Sequence, residues 1–319
     1  MMPTPDHISV ALPVGQAIER VKRVLFQPFD LAKWLTIGFC AWLAQLGEAG
    51  SSPHFNLGPR HGRGGMDDFR HSIEHAWNWV VQNLYWILPL AAFLLLLALA
   101  LWVLILWLSS RGRFMFLHCV ALDKAEVAVP WRKFARAANS LFWFRLLVGL
   151  GSMLVSLPLV VVMALAAWRM IERGQPAVAG ILELVGLGLL LLLLAFVCWV
   201  IGRLTSDFVV PIMFRRGIRC WRAWGVLLGL LAGNLGRFIL YFLFRIVLAL
   251  AIATVVITAV LATCCILGCF LAIPFLGTVL LLPILVFQRA YPLHYLAQYG
   301  PEYDAFLPAP GEPSSALVR

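Results

Sequence analysis

The most specific chemical spacing in this chain is His71, Glu74 and His75. An H-x-x-E-H run puts two imidazoles one helical turn apart on one face, where they can share a zinc ion while the Glu acts as general base. His54 and His61 fall in the same stretch, and Asp67 and Asp68 lie one turn before His71. Against catalysis, such a zinc site needs a third protein ligand. Gly58, Gly62, Gly64 and Gly65 leave the surrounding stretch too pliant to hold a distant one. Asp67 and Asp68 also suit a helix N-terminus, where the dipole favours carboxylates. Three readings follow: a small membrane metalloenzyme, weak metal binding by His71 and His75, or a solvated amphipathic helix docked on a membrane through Phe69, Ile73, Trp77 and Val80. The last is the expectation, and under it replacing His71 and His75 together with Ala leaves fold and phenotype intact.

A second set of candidates is polar residues in or beside apolar runs, which are functional candidates by default in a membrane. Arg245 falls seven residues into one such run, about 10 Å along a helix, and is expected to snorkel to the interface. Glu183 sits near the start of another. Asp207, at a boundary before Pro211, has a structural ion pair with Arg203 or Arg145 as its plainest role. Asn234 follows a basic stretch. No phosphate loop, nucleophile motif or cofactor fingerprint occurs, and no cofactor is expected.

The elements that must position these residues are transmembrane helices. Of 319 residues, 62% are hydrophobic and 13% charged, with a mean hydropathy of +0.90, which is not the composition of a water-soluble domain. A span needs about 20 apolar residues. Leu84 to Leu108 (25 residues) and Leu146 to Trp168 (23 residues) carry no charge. Ile181 to Gly202 carries only Glu183, Phe238 to Ala262 only Arg245, and Ile266 to Phe287 none. Trp34 to Gly47 is a shorter run of 14 residues, which a snorkelling Lys33 can extend into a first span or which can lie re-entrant. Phe238 to Phe287 is about 75 Å as one helix, so it must fold back, with Thr263, Cys264, Cys265 and Gly268 marking the turn.

The reading is therefore an all-α polytopic bundle of about six spans. Residues 1–30 form a cytoplasmic N-terminal segment, 31–300 the membrane domain with an external loop at 48–83, and 301–319 a disordered tail. No cleavable leader is recognisable, so the first span is expected to act as its own anchor. With six spans, 19 of the 25 Lys and Arg fall on one side, 5 on the other, and Arg245 within a span. By the positive-inside rule the basic side is cytoplasmic, with both termini there, in a bacterial inner membrane. The net charge of +10 then reflects topology and anionic lipid, and no nucleic acid is expected. The seven Cys show no C-x-x-C pair, and reduced buried thiols are the default.

Each pair of spans follows a basic interfacial segment. Val14, Ile18, Val21 and Leu25 give the first an apolar stripe, which reads as a helix lying on the inner leaflet. Trp131-Arg132-Lys133 opens the second and Trp221-Arg222 the third. Arg215, Arg219 and Arg222 fall on one helical face, with Trp221 beside them, as a candidate lipid interface. Gly149, Gly151, Gly186 and Gly188 are candidates for close helix contact, and Pro158, Pro274 and Pro283 for kinks or breaks.

Arg111-Gly112-Arg113-Phe114-Met115-Phe116, Pro130-Trp131-Arg132 and Ser206-Asp207-Phe208-Val209-Val210-Pro211 give the chain a resemblance to an uncharacterised bacterial family of multi-pass membrane proteins. That family is similar to the membrane domain preceding the catalytic barrel in some glycerophosphodiester phosphodiesterases. No stretch here can form the barrel, so the resemblance implies architecture and no catalytic residue. The function expected is that of a non-enzymatic integral membrane protein handling lipid or small solutes, or an envelope assembly partner. Its expected partners are anionic lipid headgroups, and a protein partner or a second copy of the chain.

Overall fold

The computed structural model describes residues 8–49, 79, 82–172, 178–263 and 266–307, and every regular element among them is a helix. In chain order these are α1 (Leu12–Phe26), α2 (Leu31–Ala49), α3 (Leu84–Leu122), α4 (Ala128–Lys133), α5 (Ala135–Glu172) and α6 (Val178–Leu204). A π-helical turn (Thr205–Val209) leads into α7 (Val210–Arg216), followed by α8 (Cys220–Gly233), α9 (Leu235–Ala262), α10 (Ile266–Ala272), α11 (Pro274–Leu280) and α12 (Leu282–Ala297). Four continuous helices are long and apolar enough to cross a membrane: Tyr85–Leu122, Ala135–Met170, Val178–Arg216 and Leu235–Ala262. Their apolar windows are almost wholly exposed, and apolar surface on this scale needs lipid or a partner against it. On α3, Trp86 and Trp107 stand about 32 Å apart along the axis, which matches an aromatic belt at each face of a layer about 30 Å thick.

The buried core gathers at one pole. Ser109–Leu122, the second half of α3, continues past the uncharged run, and Phe114, Met115, Leu117, Cys119 and Val120 are buried there. They share that core with Phe208, Val209, Val210 and Ile212, with Tyr241, and with Tyr291 and Tyr295 of α12. α2 packs beside this half of α3. Lys33 pairs with Asp123 at 2.9 Å, and Ser109 Oγ donates to the carbonyl of Ala44 at 2.9 Å. Gly112 permits the approach: a Cβ there would lie 2.6 Å from the nitrogen of Ala44 and the carbonyl carbon of Leu43. The glycines singled out in sequence do less. Gly151, Gly186 and Gly188 meet nothing within 4 Å, and Gly149 faces Trp102.

Three expectations change. Ile266 to Phe287 is not one helix but α10, α11 and the start of α12, with Pro274 and Pro283 each in the first turn of a new helix where a missing N–H costs nothing. Pro158 by contrast lies within an unbroken α5. α11 packs on α2, where Trp34 Nε1 donates to the carbonyl of Val279 at 3.2 Å and Trp42 meets Phe275. α1 does not lie only on lipid: Ala17, Val24 and Leu25 are buried. Arg20, expected on its polar face, donates to the carbonyls of Val120 and Ala121 at 2.9 and 2.6 Å, the free carbonyl end of α3. The tail expected to be disordered from residue 301 packs as turns as far as Leu307, with Ala305 fully buried. The N-terminal and C-terminal segments are joined, because Ser9 and Gln298 exchange hydrogen bonds of 2.8 and 3.0 Å.

Candidate functional site

The site is built on the π turn. In a π turn the carbonyl of residue i accepts from residue i+5, and Val210 N–H donates to the carbonyl of Thr205. Pro211 explains the insertion, since its ring would clash with the carbonyl of Asp207 in a regular α-helix and it has no N–H to give. The same proline leaves the Ser206 carbonyl without its π-helical donor at position 211. Arg289 of α12 supplies one, with Nη1 2.7 Å from Ser206 O. A buried arginine thus answers a gap in the backbone that a proline created.

The turn also buries Asp207, whose side chain is 4% exposed and pairs with Arg245 of α9. Arg245 therefore turns into the protein instead of snorkelling, and it donates to Tyr241 Oη at 2.8 Å. The partners expected for Asp207 were Arg203 or Arg145, and neither is its ion-pair partner. Arg145 reaches Ser109 and Ser110 at 3.2 and 3.4 Å. Arg203 lies beside Trp199 and lines the same cavity as Asp207.

That cavity has a volume of about 80 Å³. Arg113, Arg203, Arg245 and Arg289 line it together with Gln45, Gln288, Ser206 and Asp207, the one acid among the described residues around it. A second cavity of about 50 Å³ shares Arg203, Arg245 and Gln288 and continues along α9 over Leu248, Ala249 and Ile252. The two carry the chemistry of an amphiphile, with polar cations at one end and an apolar groove at the other. Arg113, Ser206 and Asp207 come from two of the sequence stretches that carry the family resemblance. The third stretch packs nearby, with Trp131 against Trp107 and Arg111 between their two rings.

Asn234 is not part of this site. It ends α8 and starts α9, where it caps with Nδ2 on the Leu230 carbonyl and accepts from Arg237. The basic stripe is also not one helix, because the chain breaks at Gly217 (φ +64°). Arg215 ends α7 and donates to the Leu307 carbonyl at 3.3 Å. Arg219, Trp221 and Arg222 at the start of α8 are exposed, so the candidate lipid interface contracts to these three. Outside the cavity, His294 of α12 stacks on Phe306 at 4.2 Å, and Arg20 lies over the other side of the joint. Burial, and then the charge of Arg20, push the His294 imidazole down to about 4.

His71, Glu74 and His75 lie outside the described residues. Among those described, no group of three His, Cys, Asp or Glu is placed to hold a metal. Cys40 and Cys119 are buried with their sulfurs 4.0 Å apart, a contact that sequence spacing did not suggest.

No curated protein and no solved structure matches the chain. A family model does match, over residues 9–300, and its description is a family of unknown function. The chain belongs to that family, DUF7544.

Proposed function

We propose that the chain is a non-enzymatic, multi-pass protein of the inner membrane that handles anionic lipid at the cytoplasmic leaflet. One observation carries the reading. The packed pole collects the buried arginines, the basic connections and both ends of the described chain, while the four long helices leave their apolar flanks outside. The topology proposed has six passages with both termini cytoplasmic. Four are continuous helices, one runs through α10 and α11, and one is made by α2 and the residues after it. The arrangement expected from the glycerophosphodiester phosphodiesterase membrane domains belongs with this proposal as architecture.

Exposed Arg219, Trp221 and Arg222 support the lipid reading, since a basic residue near an anionic surface contributes about 1 kcal/mol. The test is the lipid carried by full-length protein purified in a neutral detergent, counted by headgroup class. Enrichment of anionic phospholipid over the host membrane is expected, whereas the bulk composition would count against the proposal. Reporter fusions after Arg63 and after Gly174 test the topology separately. Both should report the external side, and a cytoplasmic signal at either would refute six passages.

A further inference from the structure

We propose that the cavity beside the π turn binds a phosphate-bearing anion. Its head would lie among Arg113, Arg203, Arg245 and Arg289 and, in a phospholipid, its chain would lie along Leu248 and Ile252 of α9. The inference rests on the lipid reading above and names the ligand chemistry and the residues.

The argument starts from charge. Four guanidiniums and one carboxylate line a cavity enclosed by α2, α3, α9, α12 and the π turn. Asp207 is engaged by Arg245, and the carbonyl of Ser206 by Arg289. The lining therefore carries an excess of cations where water is scarce and the cost of a charge is high. An anion in the cavity offsets that excess. Guanidinium groups suit phosphate in particular, because their planar donors match two phosphate oxygens at once.

Size narrows the ligand. At about 30 Å³ per water-sized group, a cavity of about 80 Å³ takes a phosphate head and excludes a nucleotide. The adjoining apolar cavity decides what the phosphate is attached to. Arg203, Arg245 and Gln288 border both spaces, so a head held there has its substituent directed onto α9. Ala249, which lines the second space, is exposed on the outer surface of α9, and this gives a chain a way in from lipid.

The experiment uses the full chain in neutral detergent at fixed ionic strength, with calorimetric titration and thermal unfolding as readouts. The probes are dioctanoyl phosphatidylglycerol, dioctanoyl phosphatidylcholine and inorganic phosphate. The phosphatidylglycerol should bind saturably and raise the melting temperature, and phosphate should compete with it. Arg203→Gln, at the half-buried rim, should weaken binding about tenfold, as expected for one charge-assisted hydrogen bond, at an unchanged melting temperature of the free protein. Asp207→Asn should tighten binding, because it removes the one negative charge in the lining. If that variant does not fold, Arg203→Gln alone decides.

Tighter binding of phosphatidylglycerol than of phosphate identifies a lipid headgroup as the source, and equal affinity identifies free phosphate. Either supports the site. Equal affinity for the two lipids, no binding of any probe, or binding indifferent to Arg203→Gln overturns it. Anionic lipid that co-purifies equally with Arg203→Gln would sink this site and leave the lipid reading standing. Phosphate binding without lipid enrichment would do the reverse.

Discussion

Replacing Arg289 with Met tests whether the arginine is buried to complete the backbone of the π turn. Met keeps much of the side-chain volume but removes the donor 2.7 Å from the Ser206 carbonyl. A buried carbonyl left without a partner costs about 1–3 kcal/mol, and the arginine's other contacts add to the loss. The two contributions separate in a Pro211→Ala background. Position 211 then has an N–H, and Ser206 O can be satisfied either by residue 211 in the π register or by Val210 in a regular α-helix. Arg289→Met should therefore destabilise less there than in the native chain, with a coupling of at least about 1 kcal/mol, and the arginine's other losses cancel in the cycle. The assay is equilibrium unfolding of the four proteins in mixed micelles. Additivity to within about 0.5 kcal/mol would refute the reasoning and leave the burial of Arg289 to be explained by the cavity alone.

Replacing one member of the Asp207–Arg245 pair, as in Arg245→Met, should destabilise by about 3–5 kcal/mol, because it strands a buried charge. Asp207→Leu with Arg245→Met should recover most of that loss in the same unfolding assay. Gly112→Ala should loosen α2 from α3 and lower stability by about 1–3 kcal/mol, since the new methyl meets backbone that cannot move aside, outweighing the roughly 1 kcal/mol gained in helix propensity. Gly186→Ala, with open space around it, should be neutral or stabilising, and equal effects at the two sites would contradict the packing argument. His294, pushed down to about 4, makes the unfolded chain the better proton binder between its ordinary value near 6.5 and pH 4. Stability should fall with pH across that window, and the difference between wild type and His294→Phe in melting temperature should vanish above pH 7.

The long apolar helices were legible because their signal is local. A run such as Leu84–Leu108 needs no knowledge of its neighbours to be a span, and the structure places it in one unbroken helix. The failures occur where tertiary contact decides. Ile266 to Phe287 has the composition of a span, but Pro274 and Pro283 begin new helices inside it. Composition does not say whether a proline will sit in a first turn or, like Pro158, be absorbed by a long helix. Gly112 was passed over within a motif while Gly186 and Gly188 were chosen for their spacing. Only the position of α2 makes one close approach obligatory and the others idle. Arg20 read as a solvated charge because the helix end it caps lies 100 residues away in the chain.

Asp207 and Arg245 were both recognised as candidates but assigned to different partners, and the π turn accounts for the error. On a regular helix, Asp207 and Arg203 are one turn apart on one face and would be neighbours. One extra residue in the turn shifts the register of Asp207 relative to α6 by about 100°, and the carboxylate then meets Arg245 on α9 while Arg203 remains on the cavity wall. Pro211, four residues after Asp207, is the sequence feature that could have signalled this. Its missing N–H and its ring both act on the preceding turn, so an acid four residues before a proline inside an apolar helix need not keep its expected face. The consequence reaches function. The same displacement removes Asp207 from Arg203, and it exposes the Ser206 carbonyl that draws Arg289 inward. One proline thus assembles cations from α6, α9 and α12 around a single carboxylate, and a charge excess that no one helix displays arises only when the chain is folded.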